Sequence, residues 1–167
     1  GVSVLKIEGR GRSADYVAAV TACYRQAIDE YLATGTLPRQ KLAEWQGNLA
    51  QVFNRGFWQG GYYLGESIDA WAKAADSLAR RRKKFLGVIR NYYCRSAVVE
   101  AVLQAGCLSS GDAVLITGPT TGAVECQVQE LWVCEQPAAK AEQGQTVTFP
   151  CALKLRRNDK IYRLDCR

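Results

Sequence analysis

Two groups of charged residues have types and spacing that could do chemistry. Lys6, Glu8 and Arg10 fall at the end of a predicted strand. Two cations beside a carboxylate there suit the grip of an anion and equally a structural salt bridge. The second group is the run Arg80, Arg81, Arg82, Lys83 and Lys84. Residues 1–79 carry eight basic and eight acidic groups and residues 85–167 carry nine and eight, so the run supplies nearly all of the net charge of +6. Such a run is either a solvated helix end or a contact for phosphate backbones, which makes it the candidate nucleic-acid-binding segment.

Other chemistries are removed by absence. The chain has no histidine, which excludes Ser-His-Asp and Cys-His catalysis and any histidine-bound zinc within it. Its seven cysteines, at 23, 94, 107, 126, 134, 151 and 166, are odd in number and contain no Cys-x-x-Cys pair, the pattern of reduced cytosolic thiols rather than a secreted disulfide framework. Cys126 keeps phase with Val124 and Val128, as a small core residue would. The long, irregular spacings favour core packing over a four-cysteine metal or iron–sulfur site, and no metal ligand is assigned.

The elements that must position these residues read in order. Val2–Ile7 predicts a short strand, and Glu8–Arg12 a turn. Ser13 is placed to cap a helix over about 14–33, with Asp15 favourable in its first turn and Gly35 at its end. Val17, Val20, Tyr24, Ile28 and Tyr31 give that helix an apolar face. Pro38 opens a second helix with Leu42, Trp45, Leu49 and Val52 on one side. A third, carrying Ile68, Trp71, Ala75 and Leu78, is expected to end in the basic run. Beyond it six strands are predicted, at 85–93, 96–103, 112–117, 122–133, 146–151 and 160–164, separated by turn-formers such as Ser109-Ser110-Gly111-Asp112 and Gly118-Pro119. The 122–133 stretch changes phase near Gln129 or Glu130, which predicts a bulge there or a strand buried on both faces. The fold class is therefore α+β, the strands forming a small antiparallel sheet for which barrel closure would remove exposed edges.

At 48% apolar and 23% charged the composition is that of a globular chain. No apolar run approaches the roughly 18 residues of a membrane span, and no secretory layout opens the sequence, so a cytoplasmic protein without a membrane partner is expected. The absence of methionine and a start directly on a strand suggest an excised fragment. Its helices, with so few strands to cover, are expected to make it self-associate.

Between the two textures lies Phe53-Asn54-Arg55-Gly56-Phe57-Trp58-Gln59-Gly60-Gly61-Tyr62-Tyr63, with three glycines and five aromatic rings. On composition it is a hinge, with Asn54 and Arg55 held between aromatic anchors as candidates for positioning a substrate. Leu5-Lys6-Ile7-Glu8-Gly9-Arg10, Ser13, Tyr16-Val17-Ala18 and Tyr24-Arg25-Gln26-Ala27-Ile28-Asp29, followed by Phe53-Asn54-Arg55-Gly56-Phe57, resemble peptidase family U-thirty-two (U32), the collagenase-like proteases, over residues 1 to about 65. A helix with a basic end before the first β-domain strand departs from the shorter link expected there.

The resemblance implies that residues 1–65 are the end of an α/β barrel-like catalytic domain, with 66–84 a helical linker and 85–167 a C-terminal β-barrel domain. The strand-end residues Lys6, Glu8 and Arg10 would then be catalytic-face candidates. The β segment, through Gly87-Val88, Leu108-x-x-Gly111-Asp112 and Gly118-Pro119, resembles the second domain of translation elongation factors. Relatives of the family resemble iron–sulfur proteins that hydroxylate tRNA uridines with prephenate, ribosomal RNA or the ubiquinone ring. Their cluster cysteines lie upstream, so an iron–sulfur cluster is implied only for a longer parent and no cofactor for this chain. The function this implies is an accessory domain that binds tRNA or other RNA for an RNA-hydroxylating enzyme, the chain itself being inert. Presentation of a protein substrate to a peptidase and a structural, subunit-joining barrel are the alternatives.

Overall fold

The computed structural model describes residues 3–57 and 76–166 of the chain. Helix α1 spans Ala14–Thr34 and α2 spans Arg39–Leu49, both where the apolar periodicity predicts them. Gly35 ends α1 at φ 71°, its N–H donating to the Tyr31 carbonyl at 2.8 Å, a left-handed cap that a side chain would strain. Pro38 leads into α2 with φ −61°. The helices lock through Trp45, which is buried and donates its indole N–H to Gln26 Oε1 at 2.9 Å.

The strands are β1 (Arg81–Tyr93), β2 (Val98–Leu103), β3 (Cys107–Ser109), β4 (Ala113–Gly118), β5 (Gly122–Gln127), β6 (Trp132–Val133), β7 (Gln136–Pro137), β8 (Lys140–Glu142), β9 (Thr146–Pro150) and β10 (Lys160–Cys166). Eight form one antiparallel sheet in the order β5-β4-β10-β1-β2-β9-β6-β7, while β3 and β8 pair separately. Side chains alternate across each strand, so Ile89, Val99, Leu103, Phe149, Ile116 and Ile161 meet in one core. Leu115 points to the opposite face and is still only 1% exposed, because α1 packs over β4 and β5. Two helices with a large antiparallel sheet make the chain α+β. No helix among the described residues is long and apolar enough to cross a membrane.

All six predicted strand regions are present, but four local expectations change. Residues 3–7 form no strand: Val4 and Leu5 are exposed, and no ladder among the described residues satisfies this backbone. The basic run is not a helix end. From Arg81 onward it is β1, where Arg81–Lys84 pair with Arg163–Cys166 of β10 and ladder pairing overrides the local preference. Of the predicted third helix, Ile68, Trp71 and Ala75 lie outside the described residues, and Leu78 is not helical. The 122–133 stretch is neither bulged nor continuous. β5 stops at Gln127, the Val128 N–H turns to the Asp112 carbonyl at 2.9 Å, and Val128 and Leu131 are both buried across the break.

Candidate functional site

The predicted N-terminal trio does not assemble. Lys6, Glu8 and Arg10 are all exposed, and the contact joining two of them is the Arg10 backbone N–H donating to Glu8 Oε1 at 2.8 Å. The residue that connects this stretch to the aromatic joint is Arg12, which sequence reasoning missed. Its guanidinium lies 3.8 Å from the Phe53 ring centroid and 5.9 Å from that of Tyr16. The available signal was an arginine just before a helix that carries Tyr16, with an aromatic cluster elsewhere in the chain.

Asn54 is occupied by its own turn. Its Nδ2 donates to the carbonyls of Val52 at 2.9 Å and Ala50 at 3.3 Å, and its Oδ1 accepts the Gly56 N–H at 3.2 Å. The Asn54 carbonyl in turn accepts the Leu78 N–H at 2.8 Å, tying the joint to the segment before β1. Arg55 is exposed at the rim of a recess of about 340 Å³ shared with Arg12, Tyr16, Tyr24, Phe53 and Phe57. Two guanidiniums among rings suit an anion with a planar portion. Residues 58–63 of the joint lie outside the described residues.

The basic run is largely bonded within the molecule. Strand alternation sends Lys83 toward α1, where its ammonium donates to Asp15 Oδ1 at 2.8 Å and Ser13 Oγ at 3.0 Å. The Ser13 hydroxyl makes no cap bond within α1 itself. Arg81 reaches Glu125 of β5 at 2.7 Å. Lys84 reaches Asp165 at 2.6 Å, and Asp165 also takes Arg163 at 2.9 Å. These two cations, Lys84 first, hold the Asp165 carboxyl below its ordinary range. The Arg80 backbone N–H donates to the Ala50 carbonyl at 3.0 Å. Among the described residues no ion pair holds the Arg80 or Arg82 side chains. A cleft of about 800 Å³ between α1, the joint and the sheet is lined by Asp15, Gln26, Gln51, Arg81, Arg82 and Lys83 among others.

The cysteines do not fit an iron–sulfur cluster. Cys23 lies under α2, where its thiol donates to the Trp45 carbonyl at 3.8 Å, and Cys107 lies beside Arg163 at 3.6 Å. Cys151 is buried in the core and Cys126 packs partly buried against it; the interaction between the two thiols, with burial, holds Cys126 above the ordinary thiol value and Cys151 below it. No group of three Cys, Asp or Glu residues among the described residues is placed to hold a metal ion. The glycine motifs hold turns. Gly111 has φ 91° and precedes Asp112, whose Oδ2 accepts the Ser109 N–H at 2.8 Å. At Gly118 a Cβ would stand 1.8 Å from Asp159 Oδ1.

Comparison with known proteins matches residues 1–73 to the model of peptidase family U32. Over its whole length the chain is 42% identical to a collagenase of Porphyromonas gingivalis, of which it covers 40%. An uncharacterised protease of Methanocaldococcus jannaschii is 32% identical over 95% of the chain and 39% of that protein. The tRNA hydroxylation protein P1 of Bacillus subtilis is 29% identical over 79% of the chain and 31% of its own length. The chain thus spans about two-fifths of the length of the two protease relatives. With the Lys-Ile-Glu-Gly-Arg and Phe-Asn-Arg-Gly-Phe elements in the matched segment, residues 1–73 belong to peptidase family U32, and the similarity to the collagenase and the archaeal protease continues across the sheet.

Proposed function

We propose that the β unit is an accessory substrate-binding domain, for tRNA or other structured RNA, of an RNA-hydroxylating U32 enzyme. The observation that carries this reading is the cation surplus: a net charge of +6 in a chain where no ion pair among the described residues holds Arg80 or Arg82, with Arg82 lining the cleft between α1 and the sheet. The alignment with the tRNA hydroxylation protein supports it, since it extends over 79% of the chain. Lys6, Glu8, Arg10 and Arg55 would approach the substrate only if the rest of the enzyme supplies the surface opposite them. An iron–sulfur cluster, in this reading, belongs to other parts of the enzyme. We also read the sheet as closing into a barrel like the second domain of elongation factors. The packing of Cys126, on β5 at one sheet edge, into the same core as Cys151, the residue after β9, supports this. Seven free thiols support a cytoplasmic location.

The second reading is a collagenase-like peptidase whose β unit presents protein substrate, favoured by the 42% identity to the collagenase across the whole chain. Titrating the chain with a tRNA transcript and with denatured collagen, each at several salt concentrations, separates the two. The RNA reading expects tRNA binding that falls steeply with salt. Absent or salt-insensitive tRNA binding overturns it, and binding to denatured collagen in its place establishes the second.

A further inference from the structure

The cations of the basic run are consecutive in sequence. A larger group of unpaired cations is scattered in sequence and gathered by the fold at one end of the sheet. The β1–β2 hairpin, residues 94–97, leads back into β2, and the Cys151 N–H donates to the Ala97 carbonyl at 2.8 Å, so the segment between β9 and β10 starts beside that hairpin. The same segment finishes against β1, where the Asn158 N–H donates to the Ile89 carbonyl and the Ile89 N–H to the Asp159 carbonyl, both at 2.8 Å. Lys160 then pairs with Val88 on one side and Thr117 on the other. The β1 register shift between Ile89 and Asn91 places Arg90 next to this junction.

Arg90, Arg95, Lys154, Arg156, Arg157 and Lys160 are all exposed, and no ion pair holds any of them among the described residues. In residues 94–97, 119–121 and 151–159, the loops of this end, the one acid is Asp159. It is 2% exposed and turned inward: its Oδ2 accepts the Thr121 hydroxyl at 2.5 Å and the Arg156 N–H at 2.8 Å. The carboxylate that would neutralise the surface is used instead to fold it, holding the 156–159 turn, with Asn158 at φ 69°, against the β4–β5 turn. Residues 128–145, by contrast, carry three acids, Glu130, Glu135 and Glu142, and one cation, Lys140, which pairs with Glu142 at 2.7 Å. At the cationic end, Tyr93 is 45% exposed beside the hairpin, its hydroxyl held by Glu100 Oε2 at 2.6 Å. A fixed, half-exposed ring next to a hairpin that carries an unpaired cation is what unpaired bases stack on while their phosphates are neutralised.

We infer that this end of the sheet is an RNA-binding surface, with the 151–160 segment and Arg95 gripping the phosphates and Tyr93 stacking an unpaired base. The inference rests on the RNA reading above and adds a second, larger contact to that of Arg80 and Arg82. The test compares the unaltered chain with the triple variant Lys154→Gln/Arg156→Gln/Arg157→Gln and with Tyr93→Phe and Tyr93→Ala, using a tRNA transcript over a salt series. The substituted side chains are exposed, and an unchanged thermal midpoint verifies folding. The triple variant is expected to lose at least tenfold in affinity and to flatten the log–log salt slope by about two to three units, one per cation. Tyr93→Ala is expected to weaken binding with the slope unchanged, and Tyr93→Phe to retain it. If the unaltered chain binds tRNA and the triple variant binds equally, the placement fails while the RNA reading stands. If the unaltered chain binds no tRNA, the RNA reading itself fails and takes the placement with it. Binding that tracks an acidic polypeptide as well as tRNA, with no effect at Tyr93, overturns the choice of RNA as the ligand.

Discussion

At Gly87 a Cβ would meet the Val102 carbonyl oxygen at 1.9 Å, and at Gly118 it would meet the Asp159 carboxylate. The first obstacle is backbone in a ladder and cannot swing aside, so Gly87→Ala should cost about 3 kcal/mol or more, read as a lowered urea midpoint. Gly118→Ala should cost less at equilibrium. It displaces a carboxylate that can rotate, at the expense of its bonds to Thr121 and Arg156. Asp165 supplies a pH-dependent counterpart. Because Lys84 and Arg163 depress its folded value, the stabilisation is complete above the ordinary carboxylate value of about 4 and is lost as pH falls through the lower folded value. The difference in urea midpoint between the wild type and Asp165→Asn is therefore expected to shrink as pH is lowered from about 6 toward 3. Little of this was legible in the sequence. Gly87, Gly118 and Asp159 look like ordinary turn and strand residues until register sets them against their neighbours.

Among the elements, α1 is held to the sheet by one partly buried ion pair and by the packing over Leu115. A double-mutant cycle on Asp15→Ala and Lys83→Ala should give a coupling of about 1 kcal/mol, the upper end for such pairs, because the two side chains are 14% and 33% exposed. A coupling near zero would assign the attachment of α1 to the apolar packing and the Lys83–Ser13 hydrogen bond. The helices and six strand regions were legible because their periods of 3.6 and 2 are set by burial on one face. The basic run was not. Five consecutive cations carry no period, and what makes Arg81–Lys84 a strand is the pairing partner Arg163–Cys166 in β10, far downstream in the sequence. Residues 3–7 of the strand predicted at Val2–Ile7 are no strand for the converse reason: the local pattern was present, and no ladder among the described residues pairs with it. The candidate surface at the end of the sheet was hidden likewise, since the loops carrying Arg95 and Arg156 come to one end only once β2, β9 and β10 are paired.

Across the whole molecule, the apolar surface is unevenly covered. Val4, Tyr31 and Leu32 are 81%, 56% and 76% exposed, all in the segment that carries the family match. The isolated chain is expected to self-associate through them, with a light-scattering mass above that of the 18.4 kDa monomer that rises with concentration. A mass that stays monomeric overturns this. The sheet side and the helical side are also fastened at separate points: Lys83 to Asp15, the Leu78 N–H to the Asn54 carbonyl and the Arg80 N–H to the Ala50 carbonyl. Those fastenings do not depend on an unbroken backbone between residues 57 and 76. A chain nicked there by a protease should accordingly travel as one particle in gel filtration and fall into two bands only in denaturant, and the two pieces expressed apart should find each other.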